Sequence, residues 1–343
     1  MKRALLLIFL VMGFMVPTKG ATGTLDIYFI DVEGGASTLI VTPLGELLLI
    51  DSGFPMDRDA QRIVHVAKDV ARLKQIDHYF TTHWHRDHVG GIPMVAKLIP
   101  VKKFYDHGLP PPTFTDVPPG MLEVYRQVSN GNSVALNAGD EVPLRNSKSA
   151  PSLNFRVVAA NQTVVGEERG APQIKQCGAD FKPIPEDKTD NAKSLGFLLT
   201  YGDFQYFNGG DLTWNVENKL ACPDNLVGEV DVFQVDHHGV SNSNNPALVR
   251  AIKPRVAVID NGPRKGADAP TFATLKSVPE IEAIYQLHRN LRTTPADNAP
   301  ADFIANDEEA CKGEFVKVSL APNRKHYSVS IPAKKISRTY VVK

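Results

Sequence analysis

A run of metal-ligand side chains at residues 82–91 constrains the folds open to this chain more than any other feature. Three histidines and one aspartate fall within six positions, as His83, His85, Asp87 and His88. Imidazole and carboxylate groups are the ligands that Zn²⁺ takes in proteins when sulfur is absent. Alternate residues of an extended segment share a face, so the first two histidines point the same way and the other two ligands follow at a bend. A polar surface loop is the alternative, and the apolar segment directly before the run argues against it.

Further residues of ligand type follow other predicted buried strands. They are Asp51, His107, Asp211, His237 and His238. Strands that end at one edge of a sheet bring such residues together in space. Asp51 either lies near the metals or caps a turn, and His107 either faces the substrate side of the site or caps a turn.

The composition is that of a soluble globular protein, with 43% apolar and 22% charged residues in a chain of 343. A chain of this length can bury a substantial core. Lysine plus arginine and aspartate plus glutamate each number 38, so no general attraction to phosphate backbones is expected. No basic stripe interleaved with aromatic residues occurs, and nucleic acid is therefore unsupported as a partner.

The first 20 residues are predicted to be a secretory signal peptide. A basic pair at 2–3 precedes an apolar run at 4–16, and a processing region follows with cleavage near Gly20 or Ala21. The apolar run is too short to span a bilayer. We therefore expect a secreted or periplasmic protein with no membrane span after processing, and an uncleaved membrane anchor is the alternative.

Residues 21–343 are predicted to form one domain with a long excursion at about 161–190. That segment is rich in glycine, proline and charge, and strand patterning resumes directly after it, which favours a lid or binding loop over a linker. Cys177, Cys222 and Cys311 allow one disulfide with one thiol left over, and the sequence does not identify the pair. None of the three has the spacing of a cysteine metal site, so no such site is expected.

The order of these residues along the chain resembles that of the metallo-β-lactamase-fold hydrolases. Asp51, the 82–91 run with its HxHxDH pattern, Asp211 and the pair His237–His238 carry the resemblance. It implies an α/β (α+β) fold built as a four-layer αββα sandwich. It also implies two divalent metal ions at one edge of the sheets, with zinc expected first and manganese as the alternative.

Within this superfamily the chain is most similar to the branch of ComEC-type nuclease-like domains and secreted phosphorylcholine esterases. The residues that carry this narrower resemblance include 30–36, Asn191, Gly210–Asp211 and 237–239. The resemblance assigns the first metal to His83, His85 and Asp211, and the second to Asp87, His88, Asp211 and His238. It also makes Asp51 a carboxylate that orients a histidine from behind.

Two residues are assigned to catalysis, Asp87 and His237. His237 is expected to contact a phosphoryl group or to protonate the leaving oxygen, and a packed structural histidine is the alternative. Which of His237 and His238 is a ligand rests on the resemblance alone.

One departure from the family pattern concerns the first metal. Many members supply a third histidine there, and the matching position in this branch is Asn191. An amide oxygen is a weaker zinc ligand than imidazole, so this site is expected to bind its ion loosely and to shift towards Mn²⁺. Asn191 and His107 are thus expected beside the substrate. Diiron members of the fold generally carry glutamate at the second histidine, and His85 argues against that class.

The sequence therefore predicts a secreted, metal-dependent hydrolase of phosphodiesters or related small molecules. A water activated by the two ions would be the nucleophile. Hydrolysis of a lactam, a lactone or another ester on the same site is the first alternative, because the fold does not decide the bond. An exported binding protein with a partly degraded metal site is the second. The oligomeric state is left open.

Overall fold

Two β-sheets form the centre of the protein in the computed structural model, which describes residues 23–111, 114–167 and 184–343. The predicted signal peptide at 1–20 lies outside these residues. Within them the strands are β1 Leu25–Phe29, β2 Thr38–Val41, β3 Leu47–Ile50, β4 His78–Phe80, β5 Phe104–Asp106, β6 Ser133–Ala135, β7 Leu153–Ala160, β8 Thr163–Val164, β9 Gly196–Tyr201, β10 Phe204–Asn208, β11 Val232–Gln234, β12 Val256–Ile259, β13 Ala283–His288, β14 Ile304–Asn306, β15 Val316–Leu320, β16 His326–Ile331 and β17 Ile336–Val341.

The first sheet has the strand order β17-β16-β15-β1-β2-β3-β4-β5-β6, and the second has the order β14-β13-β12-β11-β10-β9-β7-β8. Strands β3 to β6 are parallel neighbours in the first sheet. Strands β10 to β14 are parallel neighbours in the second. Parallel neighbours end at a common edge, so each sheet gathers several strand ends where functional residues can follow.

Helices cover the outer face of each sheet. They are α1 Asp57–His65, α2 Arg86–Val89, α3 Ile92–Leu98, α4 Met121–Val128, α5 Trp214–Ala221, α6 Pro246–Ile252 and α7 Ala269–Lys276. Side chains from α1, α3 and α4 pack on the first sheet, and side chains from α5, α6 and α7 pack on the second. A third apolar cluster lies between the two sheets. The predicted four-layer αββα sandwich is confirmed.

The alternation of side chains along a strand explains how one strand serves two of these clusters. In β1, Leu25, Ile27 and Phe29 face the other sheet, whereas Tyr28 faces the helices. All four are buried because both faces of the strand are covered, and the one charged residue of β1, Asp26, is buried in an ion pair with Lys317.

The sequence pattern predicts a strand near residues 141–144 and an amphipathic helix over 57–73, and both differ in the structure. The predicted strand at 141–144 is reduced to one bridge between Glu141 and Arg156, since Pro143 has no backbone N–H to continue a ladder. The predicted helix at 57–73 ends at His65 and continues as a π-helical turn at Val66–Val70.

The predicted excursion at 161–190 is described in part. Its first residues form β8, which pairs with β7, and its last residue begins a 3₁₀ turn at Asp190–Lys193. Residues 168–183, with Cys177, lie outside the described part. Cys222 takes part in a disulfide bond, and Cys311 is the free cysteine among the described residues. In the parts of the chain that were described, no helix has both the length and the apolar character to cross a bilayer.

Candidate metal centre

The carboxylate of Asp211 lies at the centre of a group of imidazoles. Its Oδ2 is 3.2 Å from His88 Nε2, 3.5 Å from His237 Nε2 and 3.7 Å from His83 Nε2, and its Oδ1 is 3.6 Å from His238 Nε2. Except for His237, which is slightly exposed, these side chains are buried. Strand β4 delivers two of the histidines and β11 the other two, while the acid follows β10. The ends of strands from both sheets therefore meet at one point.

Asp87 forms the second carboxylate of the group. Its Oδ2 lies 3.5 Å from His238 Nε2 and 3.9 Å from His88 Nε2, and it forms an ion pair with Lys265. Two sets of three ligand atoms can each surround an ion, with all atoms of a set within 4.8 Å of one another. The sets are His83, His88 and Asp211, and Asp87, His88 and His238.

His85 lies beside these two sets and makes a separate contact. Its ring centroid is 4.6 Å from that of His83, and its Nε2 is 2.9 Å from Oδ2 of Asp116. Because Asp116 takes Nε2, the nitrogen that His85 can offer to an ion is Nδ1. The structure thus brings His85 to the group and places a carboxylate behind it.

Four of the five histidines have one ring nitrogen hydrogen-bonded to a partner outside the group, and the fifth, His238, has a carboxylate at ion-pair distance. The pairs are His83 Nδ1 with Thr82 Oγ1 (3.1 Å) and Ser194 Oγ (3.3 Å), His85 Nε2 with Asp116 Oδ2 (2.9 Å), His88 Nδ1 with Asp51 Oδ2 (2.8 Å), His237 Nδ1 with Ser243 Oγ (3.1 Å) and His238 Nδ1 with Asp260 Oδ1 (3.4 Å). Such partners fix the orientation and tautomer of metal-binding histidines. The other nitrogen of His83, His88 and His238 is available to an ion, and that of His237 contacts Asn191.

The buried Nε2 of His83 tests whether the residues fit a divalent ion. This atom has no hydrogen-bond partner in the described structure. A buried polar atom without a partner is unfavourable unless something binds it. Its neighbours are imidazole nitrogens and carboxylate oxygens, which is a donor set for Zn²⁺. The residues present therefore fit the ions that the sequence predicts.

Asp51 lies directly behind His88. It has a φ of +59°, at the sharp turn after β3. Its Oδ1 accepts a hydrogen bond from the backbone N–H of Thr82 at 2.8 Å, and its Oδ2 accepts one from the Thr82 hydroxyl at 2.7 Å. The same Oδ2 is the partner of His88 Nδ1, so one carboxylate holds both the start of the 82–91 run and a ligand within it.

Two glycines allow the 82–91 run to lie close to neighbouring backbone. A Cβ on Gly35 would lie 2.4 Å from the carbonyl oxygen of Asp87, and a Cβ on Gly91 would lie 2.0 Å from that of Ser52. The backbone N–H of Ala36 donates to the same Asp87 oxygen at 3.0 Å. The segment after β1 thus supports the loop that carries Asp87.

His237 and His238 occupy a strained turn after β11. Their φ angles are +53° and +54°, a conformation that residues with a side chain rarely adopt. The N–H of His237 donates to the carbonyl of Gly210 at 2.9 Å, and the carbonyl of His238 accepts from Ala267 at 2.8 Å. Strained residues of this kind persist where the surrounding structure determines them, and they cluster at functional sites.

The electrostatics of the group favour ionised acids. Burial alone would raise the pKa of Asp211, but the surrounding histidines outweigh it and hold that pKa well below its usual range. Burial and the neighbouring His88 lower the pKa of His83 well below its usual value. Burial opposes protonation of His238, yet Asp211 and Asp260 raise its pKa to about 9. Divalent ions that enter the group would replace protons of this kind.

Asn191 and His107, both expected beside the substrate, lie in different places in the structure. Asn191 lies at the group, with Nδ2 3.5 Å from His237 Nε2 and with a buried Oδ1 that has no hydrogen-bond partner. His107 has both ring nitrogens engaged, at 3.1 Å with Asp190 Oδ2 and at 3.0 Å with Asn161 Oδ1. Asp190 Oδ2 also accepts the backbone N–H of Trp84 at 2.7 Å, so His107 supports the run from behind.

Sequence reasoning missed several residues that contact the group, namely Asp116, Asp190, Ser194, Asp260 and Lys265. Asp260 had a usable signal, because it follows a buried strand in the same manner as Asp211. Asp116 had none, since it lies in a proline-rich segment without periodicity. Only the folded chain shows that this segment reaches His85.

Asp116→Ala should weaken binding of an ion that uses His85. The substitution frees Nε2 of that ring, and loss of a partner behind a metal-bound histidine weakens affinity by about 10- to 100-fold. Isothermal titration of metal-free protein with Zn²⁺ measures the change. Asp203→Ala, in the exposed turn between β9 and β10, is the matched control. Equal affinities in the two variants would contradict a role for Asp116.

The loop that carries the strained histidines is anchored on a buried acid, Glu217 of α5. Its two carboxyl oxygens accept the backbone N–H groups of Asn244 at 2.6 Å and Asn245 at 2.7 Å. Burial raises the pKa of Glu217 to about 7, against the lowering effect of these hydrogen bonds. Burial and the nearby Glu217 likewise raise the pKa of Asp236. Folding therefore takes up a proton that the unfolded chain would release.

The stability of metal-free protein should carry a contribution from Glu217 that falls as pH rises. The folded pKa lies above the ordinary value of 4.5, so the contribution is complete below about pH 4.5 and is lost as pH rises through about 7. Linkage sets the loss at up to roughly 3 kcal/mol. Urea unfolding with chelator at pH 5 and pH 8 measures it. Glu217→Gln should reduce the difference, whereas Glu123→Gln, on an exposed face of α4, should not. An unchanged difference in Glu217→Gln would contradict the assignment.

Comparisons with known proteins give one family match and several similar structures. Residues 30–142 match the family model of the metallo-beta-lactamase superfamily. No curated protein matches the chain in a sequence search. Among solved structures, the chain is similar to the metallo-beta-lactamase fold protein YhfI from Bacillus subtilis, with 11% identity, 76% of this chain and 95% of YhfI covered, and a TM-score of 0.46.

It is also similar to CmlA, a diiron beta-hydroxylase from Streptomyces venezuelae, with 14% identity, 76% of this chain and 47% of CmlA covered, and a TM-score of 0.40. A mutant of CmlA is similar with 15% identity and a TM-score of 0.46, and the match covers 77% of this chain and 52% of CmlA. The chain therefore spans about half the length of that relative. Residues 30–142 are therefore similar to the metallo-beta-lactamase superfamily, and the described part of the chain has the αββα sandwich that this resemblance implies.

Proposed function

We propose that the protein is an exported, metal-dependent phosphodiester hydrolase with a dinuclear divalent-metal centre. The observation that carries the proposal is the convergence of His83, His88 and His238 on Asp211 and Asp87, with the outer ring nitrogens held from behind. Asp211 presents Oδ2 to His83 and Oδ1 to His238, so its carboxylate can be shared between two ions, which supports a pair over a single one. Zinc suits the imidazoles, and the amide of Asn191 keeps Mn²⁺ as the alternative.

Ions held by these residues would acidify a water and polarise the bond to be cleaved. The chain itself binds and orients the reactants. Lys265 is partly exposed beside Asp87, so its ammonium group is available to attract an anionic substrate. Asn191 lies at the rim of the group, with its amide next to His237.

His237 suits a hydrogen-bond donor to the substrate. Burial lowers its pKa, which favours a neutral ring at neutral pH. When the Ser243 hydroxyl donates to Nδ1, the proton of the ring is on Nε2, which faces Asp211 Oδ2 at 3.5 Å. A proton at that atom would bind a phosphoryl oxygen or move to a leaving oxygen.

The substrate class rests on charge and on the resemblance to the phosphorylcholine-esterase branch. A phosphodiester carries one negative charge, which matches a centre that joins divalent ions with the Lys265 ammonium group. A lactam or lactone is neutral and makes no use of that cation. The same centre would hydrolyse such bonds if its pocket admitted them, so they serve as comparison substrates.

Purified protein loaded with Zn²⁺ or Mn²⁺ should hydrolyse bis(p-nitrophenyl) phosphate faster than nitrocefin or a lactone. Asp211→Ala and His85→Ala should each lower turnover by more than about 100-fold, because loss of a mere partner behind a ligand already has effects of up to that size. Asp203→Ala, in an exposed turn, is the control for effects of purification and metal loading. Full activity in both ligand variants would refute the centre. Fewer than one ion per chain would favour a binding protein.

Export is the second part of the proposal, and the pattern of residues 1–20 supports it. Protein recovered outside the cytoplasm should begin near Ala21 on N-terminal sequencing. An intact Met1 on that protein would contradict processing and would favour the membrane anchor.

A further inference from the structure

A second cluster of metal-ligand side chains lies outside the centre. It joins Asp31 after β1, His288 at the end of β13 and Cys311 in the segment before β15. His288 Nε2 is 3.0 Å from Asp31 Oδ1, Cys311 Sγ is 3.3 Å from Asp31 Oδ2, and Sγ is 3.7 Å from Nε2. Asp31 and His288 are fully buried, and Cys311 is partly exposed. One oxygen, one nitrogen and one sulfur donor therefore face each other.

The size of this triangle matches one face of a zinc site. Zn–N and Zn–O bonds near 2.0–2.2 Å and Zn–S bonds near 2.3 Å, at tetrahedral angles, put neighbouring donor atoms about 3.3–3.6 Å apart. His288 Nε2 lies 3.0 Å from Asp31 Oδ1 and 3.7 Å from Cys311 Sγ, around that range, and Sγ contacts the other oxygen, Asp31 Oδ2, at 3.3 Å. Little movement of the three side chains would be needed to admit an ion.

Arg62 contacts one carboxylate oxygen of Asp31 and makes no contact with the other, Oδ1. Arg62 Nη1 contacts Asp31 Oδ2 at 3.0 Å, and its Nη2 contacts Glu33 Oε1 at 3.1 Å. The Nη2 group also donates to the carbonyl of Cys311 at 3.3 Å and lies 3.6 Å from its sulfur. Carboxylates that bind metals are commonly hydrogen-bonded on their other oxygen in this manner.

The net charge of the cluster stays the same if two protons leave when one divalent ion binds. Asp31, Glu33 and Arg62 together carry one net negative charge, which a protonated His288 offsets. Burial disfavours that proton, but the contacts with Asp31 and Cys311 raise the pKa of His288 to about 9. With a divalent ion bound, His288 neutral and Cys311 a thiolate, the cluster again has no net charge. Metal binding that releases protons is usual for histidine and cysteine ligands.

We propose that Asp31, His288 and Cys311 form a second, separate binding site for one zinc-like divalent ion. The three protein donors leave a fourth position on the exposed side of Cys311, where water completes the coordination. The site lies at the end of β1, and the same segment continues through Gly35 to the loop of Asp87. It therefore stabilises the junction of the two sheets beside the centre and takes no direct part in the chemistry there.

Cobalt substitution tests the proposal on the full chain. The ligands of the centre are nitrogen and oxygen atoms, so a sulfur-to-cobalt charge-transfer band in the near ultraviolet would report the second site alone. We expect this band in wild-type protein loaded with Co²⁺, together with one metal equivalent that Cys311→Ser loses. His288→Gln should lose the band as well, and His326→Gln, on an exposed histidine of β16, should keep it.

Thiol reactivity gives an independent measurement on the same proteins. Zn²⁺ should slow alkylation of Cys311 in wild type and in His326→Gln, and should have no effect in His288→Gln. Absence of the band in wild type, with equal metal content in Cys311→Ser, would overturn the proposal even if His288→Gln failed to fold. Turnover of the phosphodiester should survive in Cys311→Ser, so failure here is distinguishable from failure of the proposed function.

Discussion

The whole candidate site depends on one buried carboxylate, Asp211, which lies within 4 Å of four imidazoles. Alone in a dry interior, such an acid would take up a proton, because burial disfavours its charged form. Here the histidines outweigh burial and keep it ionised. The same packing buries ring nitrogens that have no hydrogen-bond partner, such as His83 Nε2, and such atoms are unfavourable unless something binds them. A pair of divalent ions, as proposed, would keep the acid ionised and would also bind these nitrogens.

The site is built jointly by the two sheets. The first sheet supplies Asp51 and the 82–91 run from the ends of β3 and β4, and the second supplies Asp211, His238 and Asp260 from the ends of β10 to β12. Each ligand is then fixed by a neighbour that is not itself a ligand, such as Thr82, Asp116 or Ser194. Since these supports come from separate elements, the geometry exists only after both sheets have packed. The apolar cluster between the sheets is therefore also the framework of the chemistry.

The sequence predicted the parts of the fold that have local signals. Short apolar runs mark most strands, and the helix that the sequence pattern predicts at about 121–128 is α4, Met121–Val128. Strand β13 and the final strand β17 were missed, since charged and polar residues interrupt their apolar pattern. The four residues His83, His85, Asp87 and His88 stood out because their spacing is contiguous. Asp116 and Lys265 could not be found, because their roles arise from loops that meet only in three dimensions.

The same contrast explains why the family match stops where it does. Residues 30–142 include the contiguous run and its supporting strands, yet Asp211, His237 and His238 lie beyond them. In the second half, the site uses single residues at the ends of parallel strands, separated by helices, so little local pattern is left to recognise. The strained His237–His238 turn fits this view. Its positive φ angles are held by Gly210 and Ala267, which are distant along the chain from one another. Local sequence preference would not produce that turn, and the folded surroundings impose it. The second half of the site is thus determined by tertiary structure, while the first half is determined largely by its own loop.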